Sequence, residues 1–191
     1  MQGWQNILGK SIIRAQDIPS RLSPDAEEIA RTAEVYPMRI NPYYFGLIES
    51  KGDPIWKQAV PSGLELEDHV CFADPLDEEN LSPVPNLIHK YPDRVLFLVS
   101  SQCAMYCRFC TRKRKVGTER MVISRETVRA GIDYIRKHPE IRDVLVSGGD
   151  PLLLTDERLD EILTAVRSIP SVQIIRIGSR VPCTLPMRVT G

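Results

Sequence analysis

The chain has 191 residues, of which 42% are hydrophobic and 26% are charged, as expected for a globular protein of about one domain. Its 25 basic and 25 acidic residues cancel, so net charge gives it no general attraction for nucleic acid or for an anionic membrane. No apolar stretch approaches the roughly 20 residues that span a bilayer, and the first residues lack a signal-peptide pattern, so we expect a cytoplasmic protein with neither membrane nor nucleic acid as a partner.

Residues 1–92 are predicted to form an N-terminal segment of short helices and loops. Ser23 is expected to cap a helix that runs to about Val35, because proline follows it at the first helical position. A second short helix is predicted directly after Asp53, which is also followed by proline. Residues 61–92 contain five prolines and little periodicity, which predicts a loop over the surface.

Two charge runs lie on either side of the predicted boundary near residue 92. The stretch from Glu65 to Glu79 contains many acidic residues and no lysine or arginine. Basic residues dominate the stretch from Arg108 to Arg120. We expect the acidic run to be a solvated surface, as most such runs are.

Residues 93–191 alternate between apolar strands and amphipathic helices. Strands are predicted at 95–100, 143–147 and 172–177. Ser124 and Thr155 are predicted to cap the two helices between them. Nearly unbroken apolar strands separated by amphipathic helices indicate a parallel sheet covered by helices, and therefore an α/β fold.

Three cysteines follow the first predicted strand. Cys103, Cys107 and Cys110 have the spacing C-x3-C-x2-C. Three thiolates can hold an iron–sulfur cube by three of its irons and leave the fourth iron open, whereas most clusters take four protein thiolates and only carry electrons. The same spacing also fits three small residues on one face of a helix, or part of a zinc site.

Two more polar segments follow predicted strands, at 147–150 and 178–180. Because the carboxyl ends of parallel strands meet at one edge of a sheet, the cysteine loop and these segments are expected to share a functional edge. Gly148 and Gly149 would let the backbone come close to a ligand. Asp150 could accept a charge-assisted hydrogen bond from an ammonium group.

The cysteine motif and four other segments resemble the lysine 2,3-aminomutase family of radical S-adenosylmethionine (radical SAM) enzymes. The segments occur in the family's order from about residue 35 onward: Asn41-Pro-Tyr-Tyr, Tyr91-Pro-Asp-Arg94-Val-Leu, Cys103 to Arg114, Ser147-Gly-Gly-Asp150-Pro-Leu-Leu and Ile177-Gly-Ser-Arg180-Val-Pro. The resemblance implies that residues 93–191 are the first part of a radical SAM (βα) barrel, truncated after three parallel strands.

The resemblance also implies which residues bind cofactors. Cys103, Cys107 and Cys110 would hold a [4Fe–4S] cluster that reductively cleaves S-adenosylmethionine. The residues implied to contact S-adenosylmethionine are Phe109 near the adenine, Gly148, Gly149 and Asp150 at the methionine moiety, and Ser179 and Arg180. The residues implied on the substrate side are Arg112 for the substrate carboxylate, and Lys90 and Arg94 for the phosphate of pyridoxal 5′-phosphate.

The implied activity is that of an isomerase, an amino acid 2,3-aminomutase that moves an amino group with the help of pyridoxal phosphate. Lysine is the default substrate and glutamate the second candidate. The implied partners are an electron donor such as flavodoxin or ferredoxin and further copies of the full-length enzyme. None of the seven lysines matches the family's pyridoxal lysine, so the chain is expected to be an N-terminal fragment that is inactive as an aminomutase on its own. No catalytic residue is assigned.

Two other functions remain open at this stage. One is a related radical SAM enzyme that supplies β-lysine for modification of a translation factor. The other is a non-catalytic iron–sulfur or zinc module that binds RNA through the basic residues 112–115.

Overall fold

The computed structural model describes residues 3–22 and 24–190. The helices are α1 (Gly3–Leu8), α2 (Ala26–Val35), α3 (Pro42–Phe45), α4 (Pro54–Ala59), α5 (Arg125–Lys137), α6 (Asp156–Arg167) and α7 (Val181–Thr184). The strands are β1 (Leu87–Tyr91), β2 (Arg94–Ser100), β3 (Asp143–Gly148) and β4 (Ile174–Ile177). No helix in the described part of the chain is long and apolar enough to cross a membrane.

The chain separates into two compact units, each of which is discontinuous in sequence. The first unit contains Met1–Ala73, Cys103–Thr118 and Arg180–Gly191, and the second contains Asp74–Gln102 and Glu119–Ser179. The cysteine segment thus belongs to the same unit as the N-terminal helices. The division of the sequence into domains 1–92 and 93–191 stays a prediction.

The first unit is built on α1 to α4 and their capping residues. The short helix predicted after Asp53 is confirmed as α4, and the Asp53 side chain caps it by accepting from the Trp56 N–H at 2.7 Å. The predicted start of α2 was wrong: Ser23 lies outside the described residues, and the helix begins after Asp25, whose carboxylate accepts from the Glu28 N–H at 3.0 Å. Ser23 and Asp25 are both residue types that cap helices, and Asp25 makes the capping bond of α2.

The second unit contains a four-stranded sheet in the order β1-β2-β3-β4. Strands β2, β3 and β4 are parallel, which confirms the three predicted strands, although the last begins at Ile174 rather than at residue 172. The prediction of a loop over residues 61–92 was wrong at its end, because residues 87–91 form β1, antiparallel to β2. Leu87 and Ile88 are buried there opposite Phe97 and Leu96, a pairing that the short apolar run did not reveal.

Helices α5 and α6 contribute apolar residues to the core of the second unit. Ile135 of α5 and Ile162 of α6 are almost completely buried with Val144 and Val146 of β3. Ser124 and Thr155 cap these helices as predicted. Because the sheet residues face buried helix residues, the second unit has the helix-covered α/β arrangement that the sequence indicates.

Removing the cap of α5 is expected to cost stability without changing the fold. The Ser124 hydroxyl oxygen accepts from the Thr127 N–H at 3.2 Å, and the Thr127 hydroxyl oxygen accepts from the Ser124 N–H at 3.0 Å. Ser124→Ala should lower the free energy of unfolding by about 1 kcal/mol, whereas Ser124→Asn, which can also cap, should lower it by a few tenths. Urea unfolding followed by circular dichroism measures both, and equal losses in the two variants would contradict the capping role.

Candidate functional site

The three cysteines of the motif lie in a turn-rich loop of the first unit. Cys103, Cys107 and Cys110 form no disulfide and are of intermediate exposure, and no helix covers this segment, so the interpretation as one face of a helix was wrong. Within the described residues, no three His, Cys, Asp or Glu side chains converge closely enough to hold a single metal ion. In a [4Fe–4S] cube each thiolate binds a different iron, so the cysteines need not converge on a single point. The cluster on these cysteines therefore stays a prediction.

Two nitrogen donors are directed at the sulfurs. The Arg112 backbone N–H donates to Cys110 Sγ at 3.3 Å, and the Arg180 guanidinium donates to Cys107 Sγ. Burial raises the pKa of the Cys107 thiol above its ordinary value, while the positive charge of Arg180 acts in the opposite direction. Free thiols that receive N–H donors fit the ligands of an iron–sulfur cluster, because such donors stabilise anionic sulfur.

The first half of the cysteine loop is attached to the N-terminal segment by backbone groups. The Tyr106 N–H donates to Arg39 O, and the Arg108 N–H donates to Gln58 O, both at 2.9 Å. The Asn41 side-chain amide, which is fully buried, donates to Ala104 O at 3.0 Å. These bonds fix the path of the backbone between the first and the third cysteine.

Asn41 also connects the loop to the C-terminal part of the first unit. Its amide donates a second bond to Thr184 O at 2.8 Å, and its side-chain oxygen caps α3 by accepting from the Tyr44 N–H at 3.0 Å. The sequence signal of Asn followed by Pro indicates only the cap. The two long-range bonds of its amide could not have been predicted from it.

Arg180 and Phe109, both predicted to contact S-adenosylmethionine, lie together beside the cysteine loop. The Arg180 guanidinium carbon lies 5.0 Å from the centre of the Phe109 ring, and the guanidinium also donates to Gln58 Oε1 at 3.1 Å. The Phe109 side chain is exposed, at 62%. The ring therefore offers an aromatic surface to solvent next to the second and third cysteines.

A buried ion group lies against the loop, formed by Glu65, Arg108 and Lys113. The Arg108 guanidinium donates twice to the Glu65 carboxylate, at 2.9 and 2.8 Å, and Lys113 Nζ donates to it at 2.9 Å. Burial would raise the pKa of Glu65, but the bonds and charge of Arg108 and the bond from Lys113 outweigh it and lower the pKa. The acidic run was expected to be a solvated surface, and that expectation was wrong for Glu65, whose side chain is only 12% exposed, and for Glu78, which is buried.

Gly148 and Gly149 end β3 in the second unit, where the backbone passes very close to residues 100–102. The Gly149 N–H donates to Ser100 O at 2.6 Å, and the Asp150 N–H donates to Gln102 O at 2.7 Å. A Cβ on either glycine would collide with the backbone of Ser100 or Gln102, and Gly148 has a φ of 140°. The glycines are therefore required for contact between two segments of the chain.

Asp150 and Ser179 come together at the carboxyl ends of β3 and β4, as the parallel sheet predicts. Asp150 is 4% exposed, and its Oδ1 accepts from the Ser179 hydroxyl at 2.7 Å and from the Leu152 N–H at 3.1 Å. The Gly178 N–H donates to Val146 O at 2.9 Å and joins the start of this segment to β3. Residues of the two predicted segments 147–150 and 178–180 thus meet at one edge of the sheet.

Lys90 and Arg94 line one cavity of ≈ 350 Å³ in the second unit, beside the turn that joins β1 to β2. Its other walls include Ile88, Leu96, Leu145 and Arg176. Arg94 is paired with Asp93, and Arg176 with Asp143, by nitrogen–oxygen contacts of 3.0 and 2.9 Å. Sequence reasoning missed Arg176, although a charged residue between isoleucines of a strand signals a side chain on a polar or ligand-binding face.

Comparison with known proteins bears on the same segments. Residues 97–187 match the model of the Radical SAM superfamily. The chain is 53% identical to L-lysine 2,3-aminomutase of Methanococcus maripaludis over 85% of its own length, and 49% identical to that of Acetoanaerobium sticklandii over 88%. The chain belongs to the lysine 2,3-aminomutase family of radical SAM proteins.

The family also includes a relative with another substrate in its name. Glutamate 2,3-aminomutase of Clostridioides difficile is 40% identical over 87% of the chain. The chain spans about 40% of the length of these relatives: 39% and 42% of the two lysine enzymes and 40% of the glutamate enzyme. Neither the modification of a translation factor nor a non-catalytic RNA-binding module is favoured by these similarities.

Several residues that contact the cysteine loop lie outside the matched superfamily segment. Asn41, Gln58 and Glu65 precede residue 97, where that segment begins. Nevertheless all three bond to residues between Cys103 and Lys113. In this member of the family, part of the environment of the cysteine motif is therefore supplied by the N-terminal segment.

Proposed function

We propose that this chain acts in a radical SAM amino acid 2,3-aminomutase of the lysine type, an isomerase. The observation that carries the proposal is the set of three cysteines at C-x3-C-x2-C spacing that form no disulfide, in a chain about half of whose residues are identical to lysine 2,3-aminomutases. Lysine is the proposed substrate, and glutamate is the second candidate because a glutamate enzyme is also similar.

Cys103, Cys107 and Cys110 are proposed to hold a [4Fe–4S] cluster. When bound, such a cluster would supply the electron for reductive cleavage of S-adenosylmethionine. The chain's own contribution would be to hold the sulfurs in place and to offset part of their negative charge. The Arg112 N–H and the Arg180 guanidinium donate to two of the three sulfurs and support the negative charge.

Gly148, Gly149, Asp150 and Ser179 are proposed to bind the methionine moiety of S-adenosylmethionine, and Phe109 its adenine. The support for Asp150 is its low exposure and fixed orientation, because Ser179 and Leu152 hold one carboxylate oxygen. A carboxylate offers about four acceptor positions, so it can still accept from an ammonium group. Phe109 offers an exposed ring. Arg180 is proposed to contribute to this cofactor as well, next to its bond with Cys107.

Lys90 and Arg94, with Arg176 added, are proposed to neutralise the phosphate of pyridoxal 5′-phosphate. The cofactor supplies a conjugated ring that delocalises an unpaired electron. The support is the lining of this cavity, which combines three cationic side chains and one acid, Glu78, with apolar walls such as Leu96 and Leu145. Arg112 is proposed to pair with the substrate carboxylate, for which a planar guanidinium is suited.

Electrons are proposed to come from a small donor such as flavodoxin or ferredoxin, and the complete enzyme is proposed to be a homo-oligomer in the cytoplasm. These proposals rest only on the resemblance to the family.

The test of the proposed function is reductive cleavage of S-adenosylmethionine. The chain is reconstituted anaerobically with iron and sulfide, reduced with dithionite and incubated with S-adenosylmethionine. Formation of 5′-deoxyadenosine and methionine in equal amounts is expected, and a protein that binds no iron or leaves the compound intact would overturn the proposal. Because the chain spans about 40% of its relatives, rearrangement of lysine and of glutamate is assayed in a protein of their full length.

A further inference from the structure

The cysteine loop carries a buried cation between its second and third cysteines. Arg108 lies between Cys107 and Cys110, and its side chain is only 6% exposed. Its guanidinium donates to Pro37 O at 3.0 Å and to Tyr36 O at 3.3 Å in addition to Glu65. A buried guanidinium is tolerated only where acceptors surround it, so these bonds determine where this part of the loop can lie.

Glu65 holds the loop on both sides of Cys110. Its carboxylate accepts two bonds from Arg108, two residues before Cys110, and one from Lys113, three residues after it. The backbone N–H groups of Cys110 and Lys113 bond within the loop, to Cys107 O and Cys110 O. In contrast to the bonds of Tyr106 and Arg108, these local bonds do not attach the second half of the loop to the N-terminal segment.

Glu65 is held in place by its own turn and by the bond of that turn to α2. It ends the 3₁₀ turn Gly63–Glu65, and its Oε1 accepts from the Ser62 N–H at 3.2 Å. The Gly63 N–H donates to Glu28 Oε1, which ties the turn to α2. The carboxylate is thus presented from a short, doubly anchored turn, and its direction is set by residues other than those of the loop.

We infer that Glu65 is a positioning residue for the cysteine loop: it clamps Arg108 and Lys113 and so holds Cys110 in the arrangement that the cluster needs. The inference rests on the proposed function for the cluster itself. It adds an acidic residue from outside the superfamily segment to the determinants of cluster binding. Glu65 touches none of the proposed ligands and acts only through its two cationic partners.

The experiment compares Glu65→Gln with Glu67→Gln, which changes an exposed acid two residues away. Hydrogen exchange is measured first on the iron-free proteins. In Glu65→Gln, amides of residues 108–116 should exchange about tenfold faster or more, because the buried guanidinium loses its charged partner. Amides of β2 and β3 should keep their protection. Uniformly faster exchange in both units would show a general loss of stability and would overturn the positioning role.

The second readout is the cluster. After anaerobic reconstitution, Glu65→Gln should lose iron to a chelator about tenfold faster than the unchanged chain and Glu67→Gln. Glu65→Asp keeps the charge with a shorter side chain and should restore part of the difference. If Glu65→Gln fails to fold, Lys113→Met removes one arm of the clamp at a side chain that is 29% exposed and should give a smaller change of the same sign.

The outcomes separate this inference from the proposed function. A cluster in the unchanged chain whose iron loss is not accelerated by Glu65→Gln would overturn the role of Glu65 and leave the proposed function standing. An unchanged chain that binds no cluster would overturn the proposed function. In that case the exchange measurement on the iron-free proteins would still decide whether Glu65 positions the loop.

Discussion

Replacing Cys103, Cys107 or Cys110 with alanine is expected to abolish the iron–sulfur cluster. Each thiolate of a cube with three protein ligands holds one iron, so two ligands would leave half of the irons without a protein bond. Iron content after anaerobic reconstitution should fall from about four per chain to background. The visible absorption of the cluster and its electron paramagnetic resonance signal after reduction should disappear with it.

The two remaining cysteines provide the matched control. Cys71 and Cys183 are exposed and free, and neither belongs to the motif. Alanine at either position should leave the iron content and the spectrum unchanged. Loss of the cluster in Cys71→Ala or Cys183→Ala would mean that a fourth thiolate closes the open iron, and it would contradict the proposed reaction with S-adenosylmethionine.

Replacing Gly148 with alanine is expected to destabilise the second unit strongly. The new Cβ would collide with the backbone of Ser100, and the φ of 140° is a conformation that side chains rarely adopt. Backbone strain and overpacking each cost about 1–3 kcal/mol, so a loss of about 3 kcal/mol or more in the free energy of unfolding is expected. Urea unfolding followed by circular dichroism measures the loss.

Gly178→Ala is the control at the same edge of the sheet. A Cβ at Gly178 would lie 3.3 Å from Ser147 Oγ and 3.5 Å from Leu145 Cδ1, which are side-chain atoms that can move. We expect a change in the free energy of unfolding within about 0.5 kcal/mol. If both alanine variants unfold at the same urea concentration, the close backbone contact at Gly148 has no special role. If Gly148→Ala folds normally, any loss of S-adenosylmethionine binding would then be due to the ligand site alone.

The parts of the fold that could be predicted are those with a local signal. The parallel strands are continuous apolar runs, and α4, α5 and α6 begin at capping residues that the sequence displays. Strand β1 has only Leu87 and Ile88 as apolar signal and depends on its pairing with β2, which is information from another part of the chain. Because this local signal is weak, the surrounding prolines led to the prediction of a loop there.

The candidate site shows the same limit. The spacing of three cysteines indicates their chemistry without any structure, and the strand ends indicate where Asp150 and Ser179 meet. The bond between Glu65 and Arg108 joins residues 43 positions apart, and that of Asn41 to Thr184 joins residues 143 apart. No periodicity or composition predicts such pairs. The prediction that Gly148 and Gly149 let the backbone approach a ligand stays a prediction; what the sequence did not reveal is the neighbouring segment of the chain that lies against them.

The most direct test of the account is a measurement of what binds the open iron. The reduced cluster of the unchanged chain is mixed with S-adenosylmethionine labelled with ¹⁵N in its amino group, and electron–nuclear double resonance records coupling of the cluster spin to that nucleus. A ¹⁵N coupling is expected with the labelled compound, and a ¹⁴N coupling should replace it with the unlabelled one. A cluster whose spectrum is the same with and without the compound would contradict it.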